Sequence, residues 1–108
     1  MKIIKSNNLD WQEKQGYLKK ILVDHSKENG IVVQNIKIKP GETAKSHFHK
    51  LQTEVFYFLS SNGFWIVNGE KFKPEMGEVL IIEPLDHHEV TNNSQEDYLY
   101  IAFKYNSS

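Results

Sequence analysis

Polar and apolar residues alternate along the chain in short runs that turn-forming residues separate, a pattern typical of β-sheet proteins. In residues 31–38, for example, Val32, Gln34, Ile36 and Ile38 share one face of a predicted strand, and the residues between them share the other. The same pattern predicts strands at Tyr17–Val23, Ile31–Ile38, Ser46–Lys50, Glu54–Leu59, Phe64–Val67, Glu70–Phe72, Val79–Ile82, His88–Asn92 and Tyr98–Tyr105.

Turn-forming pairs lie between these runs, and Asn68-Gly69 favours a type I′ hairpin turn because both of its positions need a positive φ. The periodicity of an amphipathic helix is absent, and Asp10–Gln15 predicts one helical turn at most. Residues 106–108 predict a frayed tail. The chain therefore predicts an all-β sandwich or barrel that forms one domain over residues 1–108.

The composition excludes several classes of partner and site. Thirteen Lys and Arg residues against 14 Asp and Glu residues give a net charge of -1, so there is no basic surface for nucleic acid or for an anionic membrane. The absence of cysteine excludes disulfides and thiolate ligands. Neither a signal peptide nor a span of roughly 20 apolar residues is visible. We therefore expect a cytoplasmic protein with no nucleic-acid and no membrane partner.

The histidines carry the candidate chemistry. His47 and His49 stand two positions apart on a predicted strand, so both side chains point to one face. Glu54 begins the next predicted strand, and a tight connection through residues 51–53 brings its carboxylate back towards that face. His87 and His88 form a second group, and on a strand they point to opposite faces. His25 stands alone near a turn, and we expect it at the surface.

These residues stand in two motifs that resemble those of the cupin superfamily. In the first, Gly41 is followed by five residues, His47-Phe48-His49, four residues and Glu54. In the second, Gly77 is followed by five residues, Glu83-Pro84, and then His88, three residues and Asn92. Three positions depart from the motifs. Ser61 and Leu85 stand where glycine is usual, with Gly63 two residues after Ser61, and Glu83 stands where proline is usual, with Pro84 next to it.

The resemblance to small single-domain (cupin 2 type) proteins implies a double-stranded β-helix, or jelly-roll, barrel with its core at about residues 31–105. It also implies that one metal ion is held by four side chains. Those ligands would be His47, His49, Glu54 and His88.

The donor chemistry agrees with this implication. Three imidazoles and one carboxylate make a mixed nitrogen and oxygen site that suits a first-row divalent ion such as Fe, Mn, Ni or Zn, and not Ca²⁺ or Mg²⁺. An octahedral ion with four protein ligands keeps two positions for water or substrate, as Lewis-acid or O₂ chemistry requires.

Aromatic residues near the motifs are candidates for the pocket wall. Phe56 and Phe58 follow the alternation of Glu54 and are expected inside the barrel, and Phe64 and Ile66 are expected to line the pocket from the next strand. His87 is expected at the rim of the pocket. Trp11 and Trp65 are candidates for a subunit interface, and the aromatic content predicts a homodimer formed through a sheet face or an exchanged N-terminal strand.

Two classes of function remain open. The first is a metal-dependent enzyme acting on a small molecule, such as a dioxygenase (an oxidoreductase) or an isomerase. The second is a non-catalytic module that binds or senses a small ligand. The chain has no helix-turn-helix segment, which argues against direct transcriptional regulation, and fold and motif do not choose a reaction.

Overall fold

The structure, a computed structural model, describes residues 1–45 and 50–107. The described residues form ten β-strands and one short 3₁₀ turn at Ser6–Asn8, and none of them lies in an α-helix. The strands are β1 Gln12–Lys14, β2 Tyr17–His25, β3 Ile31–Ile38, β4 Thr43–Lys45, β5 Gln52–Phe58, β6 Phe64–Val67, β7 Glu70–Phe72, β8 Val79–Ile82, β9 His88–Thr91 and β10 Tyr98–Asn106.

Two antiparallel sheets face each other. The larger sheet has six strands in the order β1-β2-β3-β10-β5-β8, and the smaller has four in the order β4-β9-β6-β7. Neighbours within each sheet are mostly distant in sequence: β10 lies between β3 and β5, and β9 lies between β4 and β6. The all-β jelly-roll prediction is therefore confirmed, and residues from both halves of the chain face the space between the sheets.

The core lies between the sheets and is largely aromatic. On β5, Phe56 and Phe58 are buried, whereas Tyr57 between them is exposed, as the period of two demands. Trp65 from β6 is fully buried against Phe58, and its indole N–H donates a hydrogen bond of 3.0 Å to the Tyr98 hydroxyl. Trp65 therefore belongs to the core, and the expectation of a place at an interface is wrong for this residue.

The two departures from the glycine pattern have different consequences for the backbone. Leu85 keeps the left-handed conformation, with φ at 75°, which costs a residue with a Cβ atom roughly 1–2 kcal/mol. Gly63 has a different role, because a Cβ atom added to it would stand 2.5 Å from the Tyr98 ring. The glycine at position 63 therefore permits the close approach of this buried tyrosine.

The chain termini differ from the sequence-based expectation. Residues 12–14 form β1, paired with β2, in place of the helical turn predicted within Asp10–Gln15. All three residues of β1 are exposed, so the segment carries no apolar alternation. At the other end, Asn106 pairs with Gln52 in the sheet and the Ser107 N–H donates to the Leu51 carbonyl, so these residues are not a frayed tail. Of the strand predicted at Ser46–Lys50, residues 46–49 lie outside the described residues.

Candidate metal centre

A cavity of about 230 Å³ opens between the two sheets. This volume lies below the roughly 300–1,000 Å³ typical of pockets for drug-sized ligands, so the cavity suits a small molecule. Its lining comes from β2, β3, β5 and β10 of the larger sheet and from β4 and β9 of the smaller one. The lining residues are Tyr17, Gln34, Ile36, Ala44, Lys45, Glu54, Phe56, His88, Val90, Tyr100, Ala102 and Lys104.

Glu54 and His88 meet inside this cavity from opposite sheets. Glu54 is the third residue of β5 and His88 is the first residue of β9, and the Oε1 atom of Glu54 lies 3.9 Å from the Nε2 atom of His88. Their side chains are only 8% and 7% exposed. A buried carboxylate and a buried imidazole that face one cavity form a candidate ligand pair.

Aromatic rings fix the position of the His88 imidazole. The Trp65 ring stacks on it with centroids 5.9 Å apart, and the Phe56 ring lies at 5.7 Å in a tilted arrangement. Because Phe56 also packs on Trp65 at 4.9 Å, the three rings support one another. The imidazole therefore has little room to turn away from the cavity.

The loop before His88 is held by the side chain of Asp86. One oxygen of Asp86 accepts a hydrogen bond from the Asn68 amide and the other accepts from the Glu83 N–H. These two hydrogen bonds lower the pKa of Asp86. Asn68 also accepts a hydrogen bond from the His87 N–H, so the type I′ turn of the β6–β7 hairpin anchors the loop that delivers His88.

Two of the four predicted ligands lie outside the described residues. His47 and His49 both fall within residues 46–49, so the structure brings together Glu54 and His88 alone. Within residues 1–45 and 50–107, no group of three or more His, Asp or Glu side chains is placed to hold a metal ion. The complete ligand set implied by the first motif therefore remains a prediction.

The two described donors fit a shared ion. Atoms that ligate one ion at bond lengths of roughly 2.0–2.3 Å stand no more than about 4.0–4.6 Å apart. The 3.9 Å between Glu54 Oε1 and His88 Nε2 lies within that limit. Imidazole nitrogen and carboxylate oxygen are also donors that first-row divalent ions accept.

Of the four residues predicted to line the pocket, one lines this cavity. Phe56 lines the cavity. Phe58 shares its face but lies deeper, fully buried against Trp65 and Tyr98. Trp65 pairs with the buried Val90 on β9, and both side chains face inward. Phe64 and Ile66 pair with Thr91 and Glu89, so by alternation they face outward.

The two remaining histidines lie away from the cavity. Ile66 and His87 line a separate, more open depression that His88 also borders, so His87 lies beside the cavity and not within it. His25 is exposed, at 3.9 Å from Glu28.

Several cavity residues were missed by the sequence reasoning. Tyr17, Gln34, Tyr100 and Lys104 line the cavity beside Glu54. Burial raises the pKa of Tyr100 well above its ordinary value, and the charge of Glu54 adds to the shift. Burial and the same carboxylate also raise the pKa of Tyr17, so both phenols stay protonated at neutral pH. The period of two along β3 and β10 puts Gln34, Tyr100 and Lys104 on inner faces, but Tyr17 could be found only from the pairing of β2.

Comparison with known proteins places the chain among β-barrel proteins of one family. The sequence pattern of the Cupin domain matches residues 35–103, more than half of the chain. The oxalate-binding protein of Thermotoga maritima is 25% identical over 67 residues, which are 62% of this chain and 55% of that protein. The chain thus matches about half the length of this curated relative.

Solved structures share the whole fold at low sequence identity. A predicted oxalate decarboxylase from Thermotoga maritima superposes with a TM-score of 0.87 at 16% identity, covering 97% of this chain and 99% of that one. KdgF from Halomonas sp. gives 0.84 at 17% identity, covering 100% and 96%. A Cupin 2 conserved barrel domain protein from Salinispora arenicola gives 0.81 at 16% identity, covering 97% and 88%. At these identities the likeness concerns the fold alone.

Among the described residues, no helix has the length and apolar character needed to cross a bilayer.

Proposed function

This chain belongs to the cupin domain family, and we propose that it is a metal-dependent enzyme acting on a small molecule in its cavity. The observation that carries the proposal is the meeting of Glu54 and His88 at 3.9 Å in that cavity. The proposed ligands of one divalent ion, Fe, Mn, Ni or Zn, are His47, His49, Glu54 and His88.

The chain's own residues would prepare this site for chemistry. Phe56 and Trp65 hold the His88 imidazole in place, which lowers the cost of fixing a ligand when it binds. Glu54 is largely shielded from bulk water, since only 6% of its surface is exposed. When bound, the ion would supply Lewis-acid or O₂ chemistry to a substrate oxygen. We propose a dioxygenase-like or isomerase-like reaction.

The test of this proposal begins with metal content. Protein purified without added metal should contain one transition-metal ion per chain by elemental analysis, and the Glu54→Gln variant should contain much less. O₂ uptake and product formation would then be followed with diols, diketones, thiols and oxalate. Turnover by the wild type that the Glu54→Gln variant lacks would support the enzyme. A wild type that takes up none of the four ions would refute it.

A second candidate function is a non-catalytic module that binds a small ligand. It is favoured by the name of the Thermotoga maritima relative, an oxalate-binding protein. A ligand that raises the melting temperature of the metal-loaded protein without being converted would select this function, whereas turnover would select the enzyme. The two candidates share the same cavity and the same ligand set.

We also propose that the protein is a homodimer, formed through the outer face of the six-stranded sheet. This face carries exposed apolar side chains on three adjacent strands, β8, β5 and β10, and such patches commonly mark interfaces. Two of them, Tyr57 and Val79, stand directly opposite each other. The exposed residues are Tyr57, Val79, Ile81, Phe103 and Tyr105. β8 is also an edge strand, which a partner could cover.

A further inference from the structure

Lysine side chains form part of the cavity wall, although the chain as a whole has a net charge of -1. Lys45 and Lys104 line the cavity, and Lys104 stands directly opposite Glu54 on the neighbouring strand. Burial lowers the pKa of Lys19, and the nearby charges of Lys14 and Lys104 lower it further, partly offset by an acidic neighbour. Several ammonium groups therefore lie near Lys104, beside the single carboxylate of Glu54 in the cavity wall.

The depth of the cavity changes along β10. The inner-facing Tyr100 and Ala102 are 5% and 2% exposed, whereas Lys104, the next inner position, is half-buried. Lys104 therefore stands where the cavity approaches solvent. A long ammonium side chain at such a place can reach into the cavity or into water.

A neutral polar group faces the same space. Gln34 on β3 is only 4% exposed and lines the cavity, next to Ala102 in the sheet register. Its side-chain amide offers both donors and an acceptor. Because it lines the cavity, this side chain is placed to hydrogen-bond a ligand. Tyr17, which also lines the cavity, offers a hydroxyl as a second such group.

Building on the proposed small-molecule function of this cavity, we infer that its ligand is a small organic anion. Lys104 receives the charged group, and Gln34 and Tyr17 hydrogen-bond the ligand's other oxygen atoms. The cavity of about 230 Å³ limits the ligand to a few carbon atoms. Two lining lysines outnumber the single lining carboxylate, so the wall attracts an anion despite Glu54.

Lys104 has another conceivable role, as a counter-charge that merely neutralises Glu54. The ion pairs found among the described residues, within 4.0 Å, do not include Lys104. A counter-charge would matter most for the stability of the ligand-free protein. An anion-binding group would matter for ligand affinity, so the two roles have different readouts.

The test measures binding of anions and of their uncharged counterparts by titration calorimetry. The probes are glycolate, lactate, malonate and oxalate, each matched with its amide of nearly the same shape. Each probe is titrated into metal-free and Zn²⁺-loaded wild-type protein. The variants are Lys104→Gln, which removes the charge, Lys104→Arg, which keeps it, and Gln34→Met, which keeps the length without the amide. Lys73→Gln, at an exposed lysine away from the cavity, is the matched control.

We expect at least one acid to bind and its amide to bind at least about tenfold more weakly, because hydrogen bonds to charged groups are among the stronger ones. Lys104→Gln should weaken the acid about tenfold, Lys104→Arg and Lys73→Gln should leave its affinity within about threefold, and Gln34→Met should weaken it about two- to tenfold.

The inference is overturned if the amides bind as tightly as the acids, or if Lys104→Gln leaves anion affinity unchanged while lowering the melting temperature. It is also overturned if no acid binds at up to about 10 mM. Failure of the metal proposal would look different. The protein would then take up no Zn²⁺, yet the metal-free form would still bind the acid in a manner that depends on Lys104.

Discussion

Replacing Glu54 with Gln separates the metal's contribution to binding from its contribution to folding. The substitution keeps the size of the side chain and removes its negative charge from a site that is 6% exposed. The core cluster around Phe58, Trp65 and Tyr98 does not include Glu54, so the metal-free variant should fold. Because the amide has the same size and can still hydrogen-bond, the variant's free energy of unfolding should stay within about 1 kcal/mol of that of the metal-free wild type.

Metal should then stabilise the two proteins unequally. At a free metal concentration of 100 times its dissociation constant, the wild type gains about 2.7 kcal/mol, or roughly 10–20 °C in melting temperature for a domain of this size. Loss of an outer-shell partner of a ligand already costs 10–100-fold in metal affinity, so we expect loss of a direct ligand to cost at least about 100-fold. The variant would then gain only about 0.4 kcal/mol, or about 2 °C.

The assay is a pair of thermal melts followed by circular dichroism, with and without metal, on the wild type, Glu54→Gln and the control Glu70→Gln. Glu70 is exposed on β7, and its variant should behave as the wild type. An equal metal-induced shift in Glu54→Gln and the wild type would refute the assignment of Glu54 as a ligand. A metal-free wild type that is unfolded at room temperature would make the ion structural and would weaken the enzyme proposal.

Four further predictions follow from the same structure. Metal occupancy should fall as the pH drops through the ordinary histidine range near about 6.5, because imidazole must be neutral to ligate; unchanged occupancy from about pH 8 to about pH 4.5 in elemental analysis would contradict a histidine-rich site. Burial raises the pKa of Tyr98 from 10.0 to about 12, so its stabilising contribution is intact below about pH 10 and is lost as the pH rises towards 12; in a Tyr57→Phe, Tyr105→Phe variant, which lacks the two exposed phenols, phenolate absorbance and unfolding should therefore appear together in an alkaline titration, and ionisation well before unfolding would count against it. Leu85→Gly should raise the melting temperature by about 2–4 °C, since it relieves a left-handed backbone at an exposed side chain; a lower melting temperature would show that the leucine side chain makes a contribution larger than the strain. Ile81→Lys should convert a homodimer into monomers by light scattering while leaving the fold intact, and a monomeric wild type at high concentration would rule out the dimer.

The sequence predicted the strands that carry regular alternation and missed β1, which carries none. β3, β5 and β10 have clear inner and outer faces, and their predicted positions agree with the structure to within a few residues. β1 has three exposed residues and no alternation to read, so its pairing with β2 became visible only in the sheet.

The candidate site was only partly predictable for a related reason. The motifs point to Glu54 and His88 because each stands at a fixed spacing from other motif residues, and the structure brings these two together. The turn before β6 determines which of its residues face inward. The sequence predicted Phe64 and Ile66 on the inner face, but the strand is shifted by one residue and Trp65 faces inward instead. Lys104 entered the site through the register of β10 with β5, which no local pattern determines.

The central claim is that one ion is held jointly by His47, His49, Glu54 and His88. Anomalous diffraction from crystals of the metal-loaded protein tests it most directly. The account predicts a single peak per chain, roughly 2.0–2.3 Å from an oxygen of Glu54 and from the Nε2 atom of His88, with both remaining histidines as further ligands. A peak elsewhere in the molecule, or no peak beside Glu54 and His88 in crystals grown with excess metal, would contradict it.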